Sequence, residues 1–406
     1  MKKTTILLAS LLVMAFASTS SAQTVIRIGG AQAFGDAVHR SIAHLLGAVG
    51  APPYTLTGGA TYAYTGTDIN KAQKAVFTGT VLGNPVIIET SFTGSTDGVR
   101  IVAQNVAINF LKTTTTQTAA GTANATDTAA NWDVITPDSA AVDSFQSSTV
   151  YKSPSLVDKL VGAGAYIFVA SKEAPATLNN ITTQQAQALY NVGNLPLAQF
   201  TNLATDRTTL VTSTFGNNLF GGPAPVQVYA TGRDYGSGAR VVSFIETRIG
   251  ANASVQQYKP VISGGATTNQ ALYPAVTING IFFPEGSDGN PSNGNLATTV
   301  LASTTLAGIG GYYVSYLPSL DAANAVAAGA HALAYNGVPY TQANVSEGSY
   351  SLWAYEHLLY KNGLPAVKTT TLNKIADQLL NADATLLISA LQVSRPIDGG
   401  IITTTY

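Results

Sequence analysis

The stretch VQVYATGRDYGSGARVVSFIETRIG, Val226 to Gly250, is the one on which the fold turns. Val226 to Ala230 is a short apolar run of the kind that forms a buried strand. Gly232 to Gly238 is a Gly/Ser turn. Val241, Phe244, Ile245 and Ile249 then recur at helical spacing, and Gly250 can end that helix. A strand, a small-residue turn and a helix in that order make one unit of an α/β layer.

The same design occurs twice upstream. Val25 to Ile28 leads through Gly29-Gly30-Ala31-Gln32-Ala33-Phe34 to a helical pattern over Asp36 to Ala48, with Val38, Ile42, Leu45 and Leu46 on one face. Val86 to Glu89 leads through Thr93-Gly94-Ser95-Thr96-Asp97-Gly98 to Val99, Val102, Ala103 and Val106 at the same spacing. Ala165 to Ala170 (AYIFVA) is a further buried strand. Alternating strands and helices predict α/β layers with mostly parallel sheets. WAYEHLLY, Trp353 to Tyr360, reads as an aromatic helix. Pro52 to Thr67, rich in Gly, Thr and Tyr, and the Thr/Ala tract Thr113 to Thr128, which has no apolar periodicity, read as surface insertions or mobile loops, and a further Gly/Asn/Ser loop runs from Glu285 to Asn295.

These turns have a common chemistry. A helix N-terminus carries unpaired N–H groups and a partial positive charge. Glycine lets that backbone approach a ligand, and Ser or Thr adds a hydroxyl. Such a turn cradles an oxyanion without bulk charge. Arg233 adds a guanidinium fork suited to bidentate, charge-assisted bonds. Any one turn of this kind is usually only a helix cap; three together point to a site.

Composition limits the alternatives. The chain has 406 residues, of which 46% are hydrophobic and 10% charged, with a formal net charge of −1. That length suits two domains of ordinary size. The lack of a basic surface argues against nucleic acid. There is no cysteine, which excludes disulfides, thiolate-ligated metals and a lipidated cysteine. Lys2 and Lys3, the apolar run Ile6 to Ala17 and Ser20-Ser21-Ala22 match a cleavable export signal, so residues 1–22 are expected to be removed. The remaining chain is expected to be soluble and periplasmic. His39, His44, His331 and His357 lack metal-ligand spacing. No G-x-S-x-G elbow, H-E-x-x-H pair or P-loop lysine is present. No cofactor and no enzymatic activity are expected.

At this point the chain resembles a known family, the phosphate-binding proteins that serve phosphate ABC transporters. GRDYGSGAR (Gly232 to Arg240) is similar to that family's R-x-x-x-S-G-T motif, TSFTGSTDGV (Thr90 to Val99) to its G-S-x-G-G-[IV] turn, and IGGAQAF (Ile28 to Phe34) to its opening G-A-G-A-T-F. VDSFQSST (Val142 to Thr149) resembles the segment carrying its Ser-Asp pair. Asn179 to Thr201 resembles its second-lobe stretch, and GIGGYYVSYL with AYNGVPY…YSLWAYEHLLY resembles the return to the first lobe.

The resemblance implies a two-lobed, type II periplasmic-binding-protein-like α/β fold. Each lobe would be a mixed sheet flanked by helices, with two hinge crossings at Tyr166 to Val169 and Tyr312 to Tyr316. Lobe 1 would comprise 23–164 plus 312–406, and lobe 2 would comprise 165–311. It implies a monomer that captures phosphate or a related oxyanion in the cleft for an ABC-transporter permease. The implied ligand residues are Ala33, Phe34, Ser95, Asp143, Arg233, Ser237, Gly238 and Ala239. Phe34 would offer its backbone N–H, and Asp143 would accept a proton that phosphate carries and sulfate lacks. Ala33 and Ala239 stand where the family has Thr, and Val142 stands where it has Ser. Two hydroxyls are thereby lost, each worth about 1.5–3 kcal/mol toward an ion. Those losses, with the low charge and the Thr/Ala tract, leave open a second reading: a binding-protein fold in a surface, structural or adhesion role. An exported hydrolase ranks last.

Overall fold

The computed structural model describes residues 23–208, 210–211, 224–263, 266–278, 280–302 and 311–405. The expected export signal at 1–22 and the start of GIGGYYVSYL lie outside the described residues. Among those described, no helix is long and apolar enough to cross a membrane.

The chain is mixed α/β. Its main sheet contains β1 (Thr24–Gly30), β2 (Thr61–Thr65), β3 (Lys74–Val81), β4 (Asn84–Phe92), β5 (Thr122–Ala125), β6 (Ser139–Val142), β7 (Val157–Ala170), β8 (Asn194–Pro196), β9 (Gln227–Ala230), β10 (Gly311–Pro318), β11 (His331–Ala332) and β12 (Trp353–Tyr360). The order across it is β8-β9-β10-β7-β12-β6-β1-β4-β3-β2-β5, with β11 also on β7. The sheet is mixed rather than mostly parallel. β1 runs parallel to β4 and β6, β9 to β10 and β2 to β5, while the remaining neighbours are antiparallel. One source of antiparallel pairing is the tight β3–β4 hairpin, where Leu82 and Gly83 both take positive φ, 49° and 78°. A two-residue turn of that hand matches the strand twist.

β7 joins two halves of the sheet. Its first part, Val157 to Ala165, pairs with β12, and its second part, Tyr166 to Ala170, pairs with β10. The switch falls between Ala165 and Tyr166. Helices cover both faces of each half. In the first half, α1 (Gly35–Leu45) and a C-terminal helix (Ala366–Gln378) cover Ile26, Ile28, Phe77 and Ile88, while α2 (Ser95–Ala103) covers Ala140, Val142 and Leu359 on the other face. In the second half, α3 (Thr183–Val192) and α4 (Gly238–Glu246) cover Tyr166, Phe168, Val228 and Tyr316, while α5 (Ser319–Ala327) covers Ile167, Val169, Tyr313 and Leu317. Alternate residues of AYIFVA therefore face opposite cores. That explains an unbroken apolar run in a strand.

WAYEHLLY corrects one expectation. It is the strand β12, buried along its whole length between β6 and β7, and not a helix. Two covered faces erase the period-2 pattern, so a short apolar run does not distinguish strand from helix. Pro52 to Thr67 is not merely a surface insertion. It contains β2, and Tyr54, Leu56, Ala60 and Tyr62 are buried, with the Tyr62 ring stacked on Phe77 at 5.4 Å. The Thr/Ala tract supplies the edge strand β5 and is tied down by Lys74 Nζ to Asp127 Oδ1 at 2.9 Å. α4 ends at Glu246, earlier than Gly250, whose N–H closes the turn onto the Phe244 carbonyl at 2.9 Å.

Candidate functional site

Parallel pairing brings the ends of β4, β1 and β6 to one edge, with Gly30 in register with Phe92 and Ala141. The chain leaves each strand there into a loop, the usual place for a ligand in an open α/β sheet. Backbone bonds stitch these exits together. The N–H groups of Thr93 and Gly94 both donate to the Gly30 carbonyl at 2.9 Å, and Ala31 N–H donates to the Ala141 carbonyl at 2.7 Å. Gly30 has φ +125°, and a methyl group on it would lie 1.9 Å from the Ala141 oxygen. Only glycine fits there.

Asp143 follows β6 directly. Its N–H donates to Ser95 Oγ at 3.0 Å, and Ser95 Oγ lies 3.4 Å from Ser144 Oγ. Asp143 is buried, and its Oδ1 has no hydrogen-bond partner among the described residues. Facing it is the start of α4. A methyl group on Gly238 would come within 1.6 Å of Asp143 Oδ1 and 2.6 Å of Ser95 Cβ. The two halves also touch directly, through Thr96 N–H to the Gly236 carbonyl at 3.2 Å. Ser237 caps α4 without a side-chain hydrogen bond to the helix. The first N–H groups of α4, on Gly238 and Ala239, have no backbone partner among the described residues.

The small cavity between the two halves has a volume of 10 Å³ and is lined by Ala33, Ser95, Asp143, Arg233, Ser237, Gly238 and Ala239, together with Ala31, Gln32, Thr93, Gly94 and Asn293. It is about large enough for one water. Seven of the eight residues singled out from sequence thus meet. Phe34 does not line this cavity, although it lines a larger one beside it with Ala33 and Asp143. Its N–H donates to the Ala31 carbonyl at 3.2 Å inside a single 3-10 turn, and its ring is buried in the core.

Arg233 is engaged by its own half of the molecule. Nε donates to the Asn290 carbonyl at 2.8 Å and Nη2 to the Pro291 carbonyl at 3.1 Å. Nη2 also pairs with Asp234 Oδ1 at 3.4 Å, and Nη1 donates to Asn293 Oδ1. Four of the five guanidinium N–H groups therefore have partners, so no free fork faces the cavity. Beneath it, Arg240 is fully buried and donates to the Arg233 carbonyl at 3.2 Å. Burial lowers the Arg240 pKa, and burial raises that of Asp234 against the pull of Arg233. Burial pushes Asp321, farther along the cleft, up to about 6, again against Arg233.

Gln32 and Thr93 lie inside loops already conspicuous in the sequence. Asn293 was missed. It belongs to the Gly/Asn/Ser loop that reads as irregular, and only its bond to Arg233 brings it to the site. The histidines are occupied elsewhere. His39 bonds the Ile69 carbonyl at 2.9 Å and Thr90 Oγ1 at 2.8 Å, His44 contacts Asp383 at 3.0 Å, and His357 contacts Asp158 at 2.8 Å. No group of three or more potential metal ligands occurs among the described residues.

No family model and no curated protein matches the chain. Solved structures do. A putative phosphate ABC transporter substrate-binding protein with bound phosphate from Clostridium perfringens is 13% identical, with a TM-score of 0.45, over 90% of this chain and 100% of that one. An ABC-type phosphate transport receptor from Vibrio cholerae is 12% identical, with a TM-score of 0.43, over 89% and 99%. PstS from Borrelia burgdorferi is 12% identical, with a TM-score of 0.37, over 89% and 94%.

Proposed function

We propose that the protein captures phosphate, or a closely related oxyanion, between the two halves of its sheet and delivers it to an ABC-type importer. The observation that carries this reading is the meeting of helix starts around one buried acceptor. The N-termini of α2 and α4 converge on a cavity where Asp143 Oδ1 has no hydrogen-bond partner among the described residues. Helix N-termini attract an anion, and a carboxylate oxygen accepts the proton that phosphate still carries at neutral pH. Residues 23–164 with 312–406 would form one lobe and 165–311 the other. They would part to admit the ligand and close over it. The exported, periplasmic setting follows from the signal pattern in residues 1–22, and no covalent chemistry is required.

Calorimetric titration with phosphate, arsenate and sulfate tests the proposal. Phosphate is expected to bind and sulfate to bind far more weakly. Asp143→Ala is expected to weaken phosphate binding by about tenfold or more, from loss of a charge-assisted bond. Absence of binding by every oxyanion overturns the reading.

One observation favours the second reading, a surface or structural role. The two halves already touch through Thr96 and Gly236, and the cavity between them holds only 10 Å³. On that reading, size measured across a concentration series shows self-assembly that phosphate does not alter.

A further inference from the structure

Two larger cavities open beside the anion cradle. The first, of about 360 Å³, is lined by Asp143 and Glu356, but these acids are engaged: Glu356 accepts from Thr385 Oγ1 at 2.8 Å, and the Asp143 carboxyl faces the Tyr166 hydroxyl. The second, of about 500 Å³, shares Gln32, Ala33 and Asn293 with the cradle. One water takes about 30 Å³ of the liquid, so this cavity has room for a substituent of several heavy atoms, which the cradle lacks. Its walls come from both halves of the molecule. Asp36 of α1 and Asn70 stand on one side, and Asn293, Thr298 and Asp321 of α5 on the other.

Two side chains in this wall have hydrogen-bonding capacity to spare. Asn293 is only 5% exposed, and its Oδ1 accepts from Arg233 Nη1. A guanidinium only donates, so the amide orientation is fixed and Nδ2 is left for another partner. Among the described residues it has none. A buried donor left open is costly. Asp321 is half-buried and makes no hydrogen bond or ion pair among the described residues. The wall therefore offers a free donor and a free acceptor together. Its one lysine, Lys71, lies 3.8 Å from Asp68 and has a side chain that is 80% exposed. A second anionic group would meet Asp36 and Asp321 with no buried cation to balance them. An ammonium has no acceptor to give Asn293. A hydroxyl both donates and accepts, and so answers both residues.

On the reading that the cradle takes a phosphate-class anion, we propose that the larger cavity takes the hydroxylated carbon chain of a phosphate monoester, with its hydroxyls bonded to Asn293 and Asp321. The ligand is then a polyol phosphate rather than inorganic phosphate alone. Its carbon chain touches both halves of the molecule, so it favours their closed arrangement together with the phosphate group.

Calorimetric titration of the full chain with inorganic phosphate, n-propyl phosphate, glycerol 3-phosphate and O-phosphoethanolamine tests this. It is run at about pH 8, where Asp321, which burial pushes up to about 6, is ionised. n-Propyl phosphate and glycerol 3-phosphate share a three-carbon chain and differ in two hydroxyls. The expected result is about tenfold tighter binding of glycerol 3-phosphate than of n-propyl phosphate. In Asp321→Ala that preference is expected to fall to about threefold or less. The ratio cancels any change of field at the phosphate, which both esters feel alike. Asn324→Trp, at an exposed position of α5 in the same wall, fills the cavity. It is expected to weaken both esters by about tenfold while inorganic phosphate still binds. Equal binding of the matched esters overturns the inference, as does binding of inorganic phosphate alone, and either result leaves the proposed function standing. Failure of every phosphate compound to bind overturns the proposed function itself. Tighter binding of O-phosphoethanolamine than of glycerol 3-phosphate overturns the hydroxyl assignment. A preference that survives Asp321→Ala overturns the role of Asp321, and ester binding untouched by Asn324→Trp overturns the placement. If circular dichroism shows a variant unfolded, the matched esters on the unaltered protein decide.

Discussion

On one side of the cradle, Gly30, Gly94 and Asp143 are placed by backbone bonds between the ends of β1, β4 and β6. On the other side, Arg233 is placed by its own guanidinium, through Asn290, Pro291 and Asn293. The first side has geometry fixed by sheet register and brings no cation to the cavity. The second has a cation, but uses it to pin a loop that has little regular structure of its own. The residue that looks most like an anion ligand in the sequence is thus largely a tether. On the proposed function, the pull on an anion would come chiefly from helix N-termini, whose partial charges need no balancing side chain.

The contrast can be broken most directly at Gly30. Gly30→Ala puts a methyl group into the Ala141 carbonyl at a φ of +125°. Strain and clash together are expected to reduce stability by about 4 kcal/mol, measured by urea unfolding. A loss below about 1 kcal/mol means that this side is not rigidly set.

Next comes Arg233→Ala, which leaves the Asn290 and Pro291 carbonyls without their donor. An expected loss of about 3 kcal/mol should accompany faster proteolysis near residues 288–295. Arg233→Lys should restore little, because an ammonium cannot reproduce the fork. Unchanged stability with weakened oxyanion binding would reverse the assignment and make Arg233 a ligand first.

The smallest effect concerns acid. Burial holds His39 neutral beneath β4, lowering its pKa from 6.5 to about 4. As pH falls from 6.5 toward 4, the unfolded chain takes up the proton and the folded chain does not. Stability from this group is therefore complete above 6.5 and is lost on acidification, by about 2–3 kcal/mol at pH 4.5. His39→Gln should flatten that slope in unfolding curves taken at pH 7 and 4.5. An unchanged slope places the acid sensitivity elsewhere.

Much of the fold was legible because strand–turn–helix units are local. β1, β4, β9, α1, α2 and α4 all occur where apolar spacing predicts them. Errors gathered where burial is two-sided or borrowed from distant chain. β12 hid its period because both faces are covered. β2 and β5 hid because they are short runs with little apolar alternation, and their placement depends on contacts with Phe77 and Lys74 on the neighbouring strand β3. Asn293 had no local signal at all.

By itself, the sequence determined the α/β units, the lack of disulfide chemistry and the small-residue turns at the helix starts, since each depends on residue type and short spacing. Only the tertiary structure decided that Phe34 turns away, that Arg233 is tied to its own half, and that Asp143 and Glu356 share one cavity. Those outcomes depend on which groups compete for the same hydrogen bond or the same space, some of them, like Asp143 and Glu356, far apart along the chain, and no local pattern records that competition.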